Sequence, residues 1–153
     1  MTGNDACVEL HRRFGAAPER VFAAFSDPVK VAQWLRPSPE IGLTVLGFDF
    51  RVGGAYRFAY HLPDAQVVRI GGLYRVIERP REIRFSWTIE PPDPHAGIES
   101  EVTVQIVDDS GGSTLTIRHE RLDLPGALER HTEGWRGALT NLDAVLGETE
   151  RGA

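Results

Sequence analysis

Apolar residues near the C-terminus recur at the three- and four-residue spacing of one helical face, from Leu124 to Gly147. His131 falls on the same face. A single amphipathic helix must bury such a face against other elements, so we expect a long helix that closes the fold. Its apolar positions are Leu128, Trp135, Ala138, Leu139, Leu142, Val145 and Leu146.

Most of the chain before this helix alternates between apolar and polar residues with a period of two, which is typical of strands. Two short helices interrupt the pattern and are opened by Pro18 and Pro28, because proline is tolerated in the first helical turn. The connections have hairpin length, so the sheet is predicted to be antiparallel. The predicted strands lie within residues 7–14, 43–50, 56–60, 67–77, 83–89, 102–106 and 115–119.

The aromatic residues of the first hairpin predict its register. If both strands direct their aromatic side chains inward, Phe50 lies opposite Tyr56, which requires a three-residue loop with a glycine at positive φ. The same register places Asp49 opposite Arg57 on the outer face of the sheet.

Together these elements predict an α+β protein with a helix-grip fold. A curved antiparallel sheet of about six to seven strands wraps around the long C-terminal helix, and two short helices follow the first strand. Gly71 and Gly72 lie inside a predicted strand, where glycine marks a bulge, a bend or a close backbone approach. One domain is predicted over residues 6–147, with loose ends at 1–5 and 148–153. A single helix cannot fill the hollow of a bent sheet, so a cavity is expected.

Composition narrows the classes of function. The 153 residues carry a net charge of −5, which argues against nucleic acid as a partner. No apolar run approaches the roughly 18 residues of a membrane helix, so membrane insertion is not expected. Cys7 is the single cysteine, which excludes an internal disulfide. With no secretory signal before it, a cytoplasmic protein is predicted.

Inward-facing aromatic residues are the candidates for a ligand-binding wall. Buried tyrosines need partners for their hydroxyl groups, and a few polar groups in an apolar hollow are typical of small-molecule sites. The alternative is that these residues only pack the core. The candidates are Phe48, Tyr56, Phe58, Tyr60, Tyr74, Phe85 and Trp87 of the sheet, and Trp135 and Leu139 of the helix.

His119 and His131 are the polar candidates for the same site. One ends the last strand and the other lies one turn into the long helix, so both flank a single loop. Either they are hydrogen-bonded within the core, or one of them orients a ligand or transfers a proton. Two histidines without a third ligand or a zinc motif do not predict a metal site. No cofactor and no catalytic residue is assigned.

Four collinear stretches carry a family resemblance. They are Pro18-Glu19-Arg20-Val21-Phe22 with Ser26-Asp27-Pro28 and Trp34; residues 49–58; Gly72-Leu73-Tyr74 with Pro80, Ile83, Phe85, Ser86 and Trp87; and His131-Thr132-Glu133-Gly134-Trp135 with Leu139 and Leu142. With them the chain resembles the bacterial family similar to the activator of the heat-shock-protein-90 ATPase, within the START-like (SRPBCC) superfamily. The resemblance implies a single START-like domain. It also implies a cavity for lipids, polyketides, flavonoids or other apolar molecules.

Three functional hypotheses follow. The first is a binding protein that holds a small hydrophobic or aromatic molecule between the sheet and the C-terminal helix. The second is an enzyme that uses the same cavity, such as a cyclase, dehydratase or hydrolase. The third, which the resemblance alone suggests, is a co-chaperone-like module with a chaperone as its partner. The residues favour the first, since no inward Asp or Glu accompanies the two histidines.

Overall fold

The sheet has seven strands, and every neighbouring pair is antiparallel. A computed structural model describes residues 7–152, with the backbone alone for 148–152. The strand order is β1-β7-β6-β5-β4-β3-β2. The α+β helix-grip architecture predicted from the sequence is confirmed. Its elements are β1 (Val8–Phe14), α1 (Pro18–Ser26), α2 (Pro28–Trp34), β2 (Gly42–Phe48), β3 (Ala55–His61), β4 (Val67–Glu78), β5 (Glu82–Ile89), β6 (Ser100–Asp109), β7 (Gly112–Glu120) and α3 (Ala127–Gly152).

The two short helices join end to end at Asp27. Its side chain accepts a hydrogen bond from the backbone N–H of Val29 at 2.9 Å, which caps the start of α2. The indole of Trp34 is fully buried and donates to the backbone carbonyl of Ala24 at 2.9 Å. This bond locks the end of α2 against α1, so the loop that follows α2 leaves from a fixed point.

The predicted register of the first hairpin is wrong. Phe48, not Phe50, lies opposite Tyr56, and Arg57 lies opposite Gly47. The register shifts between positions 45 and 47, where an irregularity adds a residue to β2. Because β2 ends at Phe48 and β3 begins at Ala55, the loop is longer than predicted and includes Asp49. Arg57 pairs instead with Glu90 at 2.8 Å.

The glycine pair of β4 marks a close backbone approach, one of the three outcomes predicted. A Cβ on Gly72 would lie 2.0 Å from the carbonyl oxygen of Ser86. The backbone N–H of Leu73 donates to the Ser86 hydroxyl at 2.9 Å, and the Tyr56 hydroxyl donates to the Ser86 carbonyl at 2.6 Å. Side-chain hydrogen bonds thus replace part of the backbone ladder between β4 and β5, and only glycine fits at position 72.

Helix α3 buries the predicted apolar stripe. Trp135, Ala138, Leu139, Leu142 and Leu146 are all buried. The helix begins three residues later than Leu124, after Gly126, whose φ of 80° ends the preceding turn. Its backbone continues to Gly152. No helix within the described residues is long and apolar enough to span a membrane. Residues 1–5 lie outside the described part of the chain, and looseness at 148–153 stays a prediction.

The loop after α2 contacts α3 directly. Pro37 lies so close to the helix that a Cβ on Gly137 would stand 1.8 Å from the Pro37 carbonyl oxygen. Asn141, one turn further along, donates to the backbone carbonyl of Arg36 at 3.0 Å. One glycine and one amide therefore hold this loop against the helix.

Two glycine substitutions in α3 test this contact. Gly137→Ala is expected to lower the free energy of unfolding by about 1–3 kcal/mol, because the new methyl group must displace the backbone at Pro37. Gly134→Ala is its matched control. There the nearest atom is a side-chain carbon of Pro37 at 3.8 Å, so stability should stay equal or rise by up to about 1 kcal/mol through helix propensity. Urea unfolding measures both, and equal stability of the two variants would contradict the contact.

Candidate functional site

An open cavity of about 440 Å³ lies between β3, β4 and β5 on one side and the first half of α3 on the other. The loop between α2 and β2 forms part of its rim. The buried part of the wall, here called the interior wall, includes Tyr60, Ile70, Trp87, Ile89, His131, Trp135 and Ala138. The half-buried or exposed part, here called the mouth, includes Arg36, Pro37, Ser38, Leu62, Arg130 and Glu133.

Tyr60 joins the interior wall to the rim. It lies on β3, and its hydroxyl donates to the backbone carbonyl of Leu35 at 2.8 Å, where α2 ends. Burial raises the pKa of Tyr60 above its usual value, so the phenol stays protonated. The hydroxyl hydrogen is therefore engaged by the protein, while the oxygen keeps its capacity to accept.

A chain of hydrogen bonds ties α3 to the sheet behind the interior wall. The indole N–H of Trp135 donates to Nδ1 of His119 at 3.0 Å. Because an indole nitrogen only donates, Nδ1 of His119 carries the lone pair and Nε2 carries the hydrogen. Nε2 then donates to the Ser100 hydroxyl at 2.8 Å, and Ser100 donates to the Trp87 carbonyl at 2.7 Å. The chain fixes one tautomer of His119.

His119 is neutral and has no free basic atom. Its side chain is fully buried. Desolvation, with a smaller effect of the neighbouring His131, holds the pKa of His119 well below its usual range. Its single lone pair accepts from Trp135. His119 therefore lies behind the cavity and positions Trp135 in its wall.

His131 belongs to the cavity wall itself. Its ring lies edge-on to that of His119, with the centroids 4.9 Å apart, and 6.4 Å from the ring of Trp87. Nδ1 of His131 donates to the backbone carbonyl of Ala127 at 2.8 Å. Burial lowers the pKa of His131, although the bond to Ala127 opposes this shift. The imidazole is therefore neutral at physiological pH.

Charged residues brace one side of the mouth. Arg130 binds Asp93 through two hydrogen bonds of 2.7 and 2.8 Å and donates to Nδ1 of His95 at 2.9 Å. Nε2 of His95 donates to the carbonyl of Pro125 at 2.8 Å. The Arg130 hydrogen bonds lower the pKa of Asp93, so this carboxylate stays charged. The loop between β5 and β6 is thereby held against the start of α3.

The structure brings four of the predicted ligand-binding residues to the cavity: Tyr60, Trp87, His131 and Trp135. His119 lies directly behind them. Leu139 is buried in the core and lines no described cavity.

The other predicted aromatic residues lie at the opposite end of the hollow. There they pack against one another and against Phe50, for example with the ring centroids of Tyr56 and Phe85 at 5.7 Å. Only about 10 Å³ of space remains among them. The structure therefore places this group in the core and not at the cavity. Its predicted members are Phe48, Tyr56, Phe58, Tyr74 and Phe85.

Sequence reasoning missed the rim of the cavity. Pro37 and Ser38 follow a helix that the sequence located correctly, but nothing local shows that they fold over α3. Gly134 and Gly137 were the available signal, because two glycines inside a helix indicate that another backbone passes close by. In residues 7–147 no group of three or more His, Cys, Asp or Glu side chains is arranged to hold a metal ion.

Comparisons with known proteins agree with the fold. The sequence model of the family described as activator of Hsp90 ATPase homolog 1-like protein matches residues 15–147. A solved structure from Chromobacterium violaceum is 32% identical, with a TM-score of 0.83, and the match covers 92% of this chain and 96% of that one. An AHSA1 protein from Silicibacter pomeroyi is 27% identical, with a TM-score of 0.82 and coverages of 94% and 99%. No curated protein matches the chain.

The buried histidines predict how stability depends on pH. A folded-state pKa below the ordinary value near 6.5 means that the unfolded chain binds protons which the folded chain does not. Their contribution is complete above about pH 6.5 and is lost as the pH falls toward the folded-state pKa values. The loss is at most about 1.4 kcal/mol per pH unit for each histidine. Urea unfolding at pH values from about 7.5 to 5 measures it.

The variant His119→Phe separates the contributions of the two histidines to this pH dependence. It is expected to be about 1–3 kcal/mol less stable at pH 7.5, because the N–H of Trp135 loses its partner. It should also show a shallower loss of stability on acidification, since only His131 then contributes. If the free energy of unfolding of this variant falls with decreasing pH as steeply as that of the wild type, His119 is not a neutral, buried residue.

Proposed function

This chain belongs to the family of activator of Hsp90 ATPase homolog 1-like proteins, and we propose that it binds a small hydrophobic or aromatic molecule in the cavity between the sheet and α3. Its fold is START-like, and proteins of that fold commonly bind hydrophobic ligands. The observation that carries the proposal is the open volume of about 440 Å³, walled by Trp87, Trp135 and aliphatic side chains.

The size and chemistry of this cavity suit a ligand of drug-like size. Small-molecule sites span roughly 300–1,000 Å³ and combine apolar walls with a few polar groups. Burying about 200 Å² of apolar ligand surface would contribute on the order of 5 kcal/mol before the cost of association. Lipid, polyketide and flavonoid-like molecules all fit this description. A cytoplasmic location, and a small molecule instead of nucleic acid or membrane as partner, belong to the same proposal.

The two alternative functions have less support. A cyclase, dehydratase or hydrolase needs an acid and a base that act together on the ligand. The lone pair of His119 is already engaged by Trp135, and the interior wall carries no Asp or Glu that could act with His131. A co-chaperone-like role needs a continuous outer patch. The outer face instead carries ion pairs such as Arg57–Glu90 and Arg118–Glu9. Ligand binding therefore remains the function that the geometry supports best.

A pair of matched substitutions tests the cavity as the binding site. Val68 lines the cavity, and Val68→Trp should fill part of it. Val107 is 61% exposed on the other half of the sheet, so Val107→Trp adds the same bulk away from the cavity. A panel of lipids, flavonoids and polyketide-like aromatics is first screened by thermal shift. Compounds that raise the melting temperature of wild type are then titrated by calorimetry.

We expect Val68→Trp to lower the affinity for such a compound by at least about tenfold, because the indole occupies the space that the ligand needs. Val107→Trp should bind as wild type does. If no compound in the panel stabilises the wild type, or if both variants bind equally well, the proposal is wrong.

A further inference from the structure

His131 offers an unused hydrogen-bond acceptor. Because Nδ1 donates to Ala127, the neutral imidazole carries its lone pair on Nε2. Among the residues that the structure describes, none makes a hydrogen bond to Nε2. It is not sealed off either, since the one fully buried side-chain nitrogen or oxygen without a partner, among the residues described, is Nε1 of Trp87. Nε2 therefore keeps some contact with open space, and His131 is part of the wall of the 440 Å³ cavity.

The donors of the interior wall, in contrast, are not available to a ligand. Trp135 donates to His119, and Tyr60 donates to the Leu35 carbonyl. The N–H of Trp87 is covered by its neighbours. A carbonyl or carboxylate held against the interior wall would lose its hydrogen bonds to water and gain none from these three side chains. A hydroxyl would lose the same bonds but could donate to His131.

The charges at the mouth do not favour an anion. Arg130 is neutralised by its two hydrogen bonds to Asp93. Arg36 donates to backbone carbonyls, and the exposed Glu133 also lines the cavity, so that with Asp93 the formal charges at the mouth sum to zero. No excess positive charge among the described mouth residues would hold a carboxylate there.

Building on the proposed function, we infer that the cavity selects uncharged aromatic molecules that carry a hydroxyl group, whose O–H donates to Nε2 of His131. Methyl ether and carboxylate analogues of the same shape should bind more weakly. The ether keeps the apolar surface but has no hydrogen to donate. The carboxylate brings a charge that the interior wall cannot solvate.

Three compounds of matched shape test the inference by calorimetry on the wild-type protein: para-phenylphenol, its methyl ether and para-phenylbenzoate. We expect the phenol to bind about 3- to 10-fold more tightly than the ether, the value of one ordinary hydrogen bond. The carboxylate should bind most weakly. If none of the three compounds binds, the result counts against the proposed function itself. Equal binding of phenol and ether would leave that function standing and overturn the selection for hydroxyl groups.

Two variants then identify the acceptor. His131→Phe should bind phenol and ether equally, because it keeps an aromatic ring but has no lone pair. Tyr60→Phe removes the hydroxyl oxygen of Tyr60, the second side-chain acceptor of the interior wall. This variant should still bind the phenol more tightly than the ether, as the wild type does. If the preference disappears in Tyr60→Phe and persists in His131→Phe, the assignment to His131 is wrong.

Nitrogen NMR of the imidazoles gives a readout that needs no variant to fold. In the wild-type protein the Nε2 resonance of His131 should move when the phenol is added and stay in place with the ether. The nitrogens of His119 should respond less, because both are already hydrogen-bonded. An unmoved Nε2 resonance at saturating phenol would overturn the inference.

Discussion

The position of α3 over the curved sheet is the constraint on which the rest of this molecule depends. The second half of the helix is held by buried leucines, Leu139, Leu142 and Leu146, which contribute non-directional apolar burial. The first half is held differently, by a directional bond from Trp135 to His119 and by the contact of Gly137 with Pro37. Because those contacts fix the helix without filling the space beneath it, the cavity survives folding.

In this interior two side-chain donors are hydrogen-bonded to protein atoms, whereas one acceptor is left without a partner among the described residues. The indole of Trp135 and the phenol of Tyr60 both give their hydrogens to protein atoms, while Nε2 of His131 keeps a lone pair. An apolar hollow built in this way is not chemically featureless. It carries a small number of acceptors with fixed positions, and fixed acceptors discriminate between ligands that share the same shape.

The aromatic residues show how one structural class serves two purposes. At one end of the hollow, Tyr56, Phe85 and their neighbours leave about 10 Å³ and form a packed core. At the other end, Trp87 and Trp135 leave about 440 Å³. The difference comes from the covering element. The packed end is covered by Phe25, Val31 and Leu35 of the short helices and the loop after them, whereas the open end is covered by α3, which carries Gly134 and Ala138 there.

The sequence by itself determined the elements of the fold and the inward faces. Periods of two and of three to four residues are local properties, so the strands, the two proline-opened helices and the buried stripe of α3 could be predicted from them. The same periods placed Tyr60, Trp87, His131 and Trp135 on inward faces correctly. They could not say which inward residues share an end of the hollow, because a period fixes a face and not a depth along the sheet.

Only the tertiary structure decided the remaining features. The loop over residues 49–54 places Phe48 opposite Tyr56, and the irregularity between positions 45 and 47 then changes the pairing of the rest of β2, since an extra residue in one strand shifts every pair beyond it. Pro37 reaches Gly137 across 100 positions of sequence, and Trp135 selects the tautomer of His119 from another element. Such contacts depend on where separate segments meet in space, and local residue patterns carry no information about that meeting.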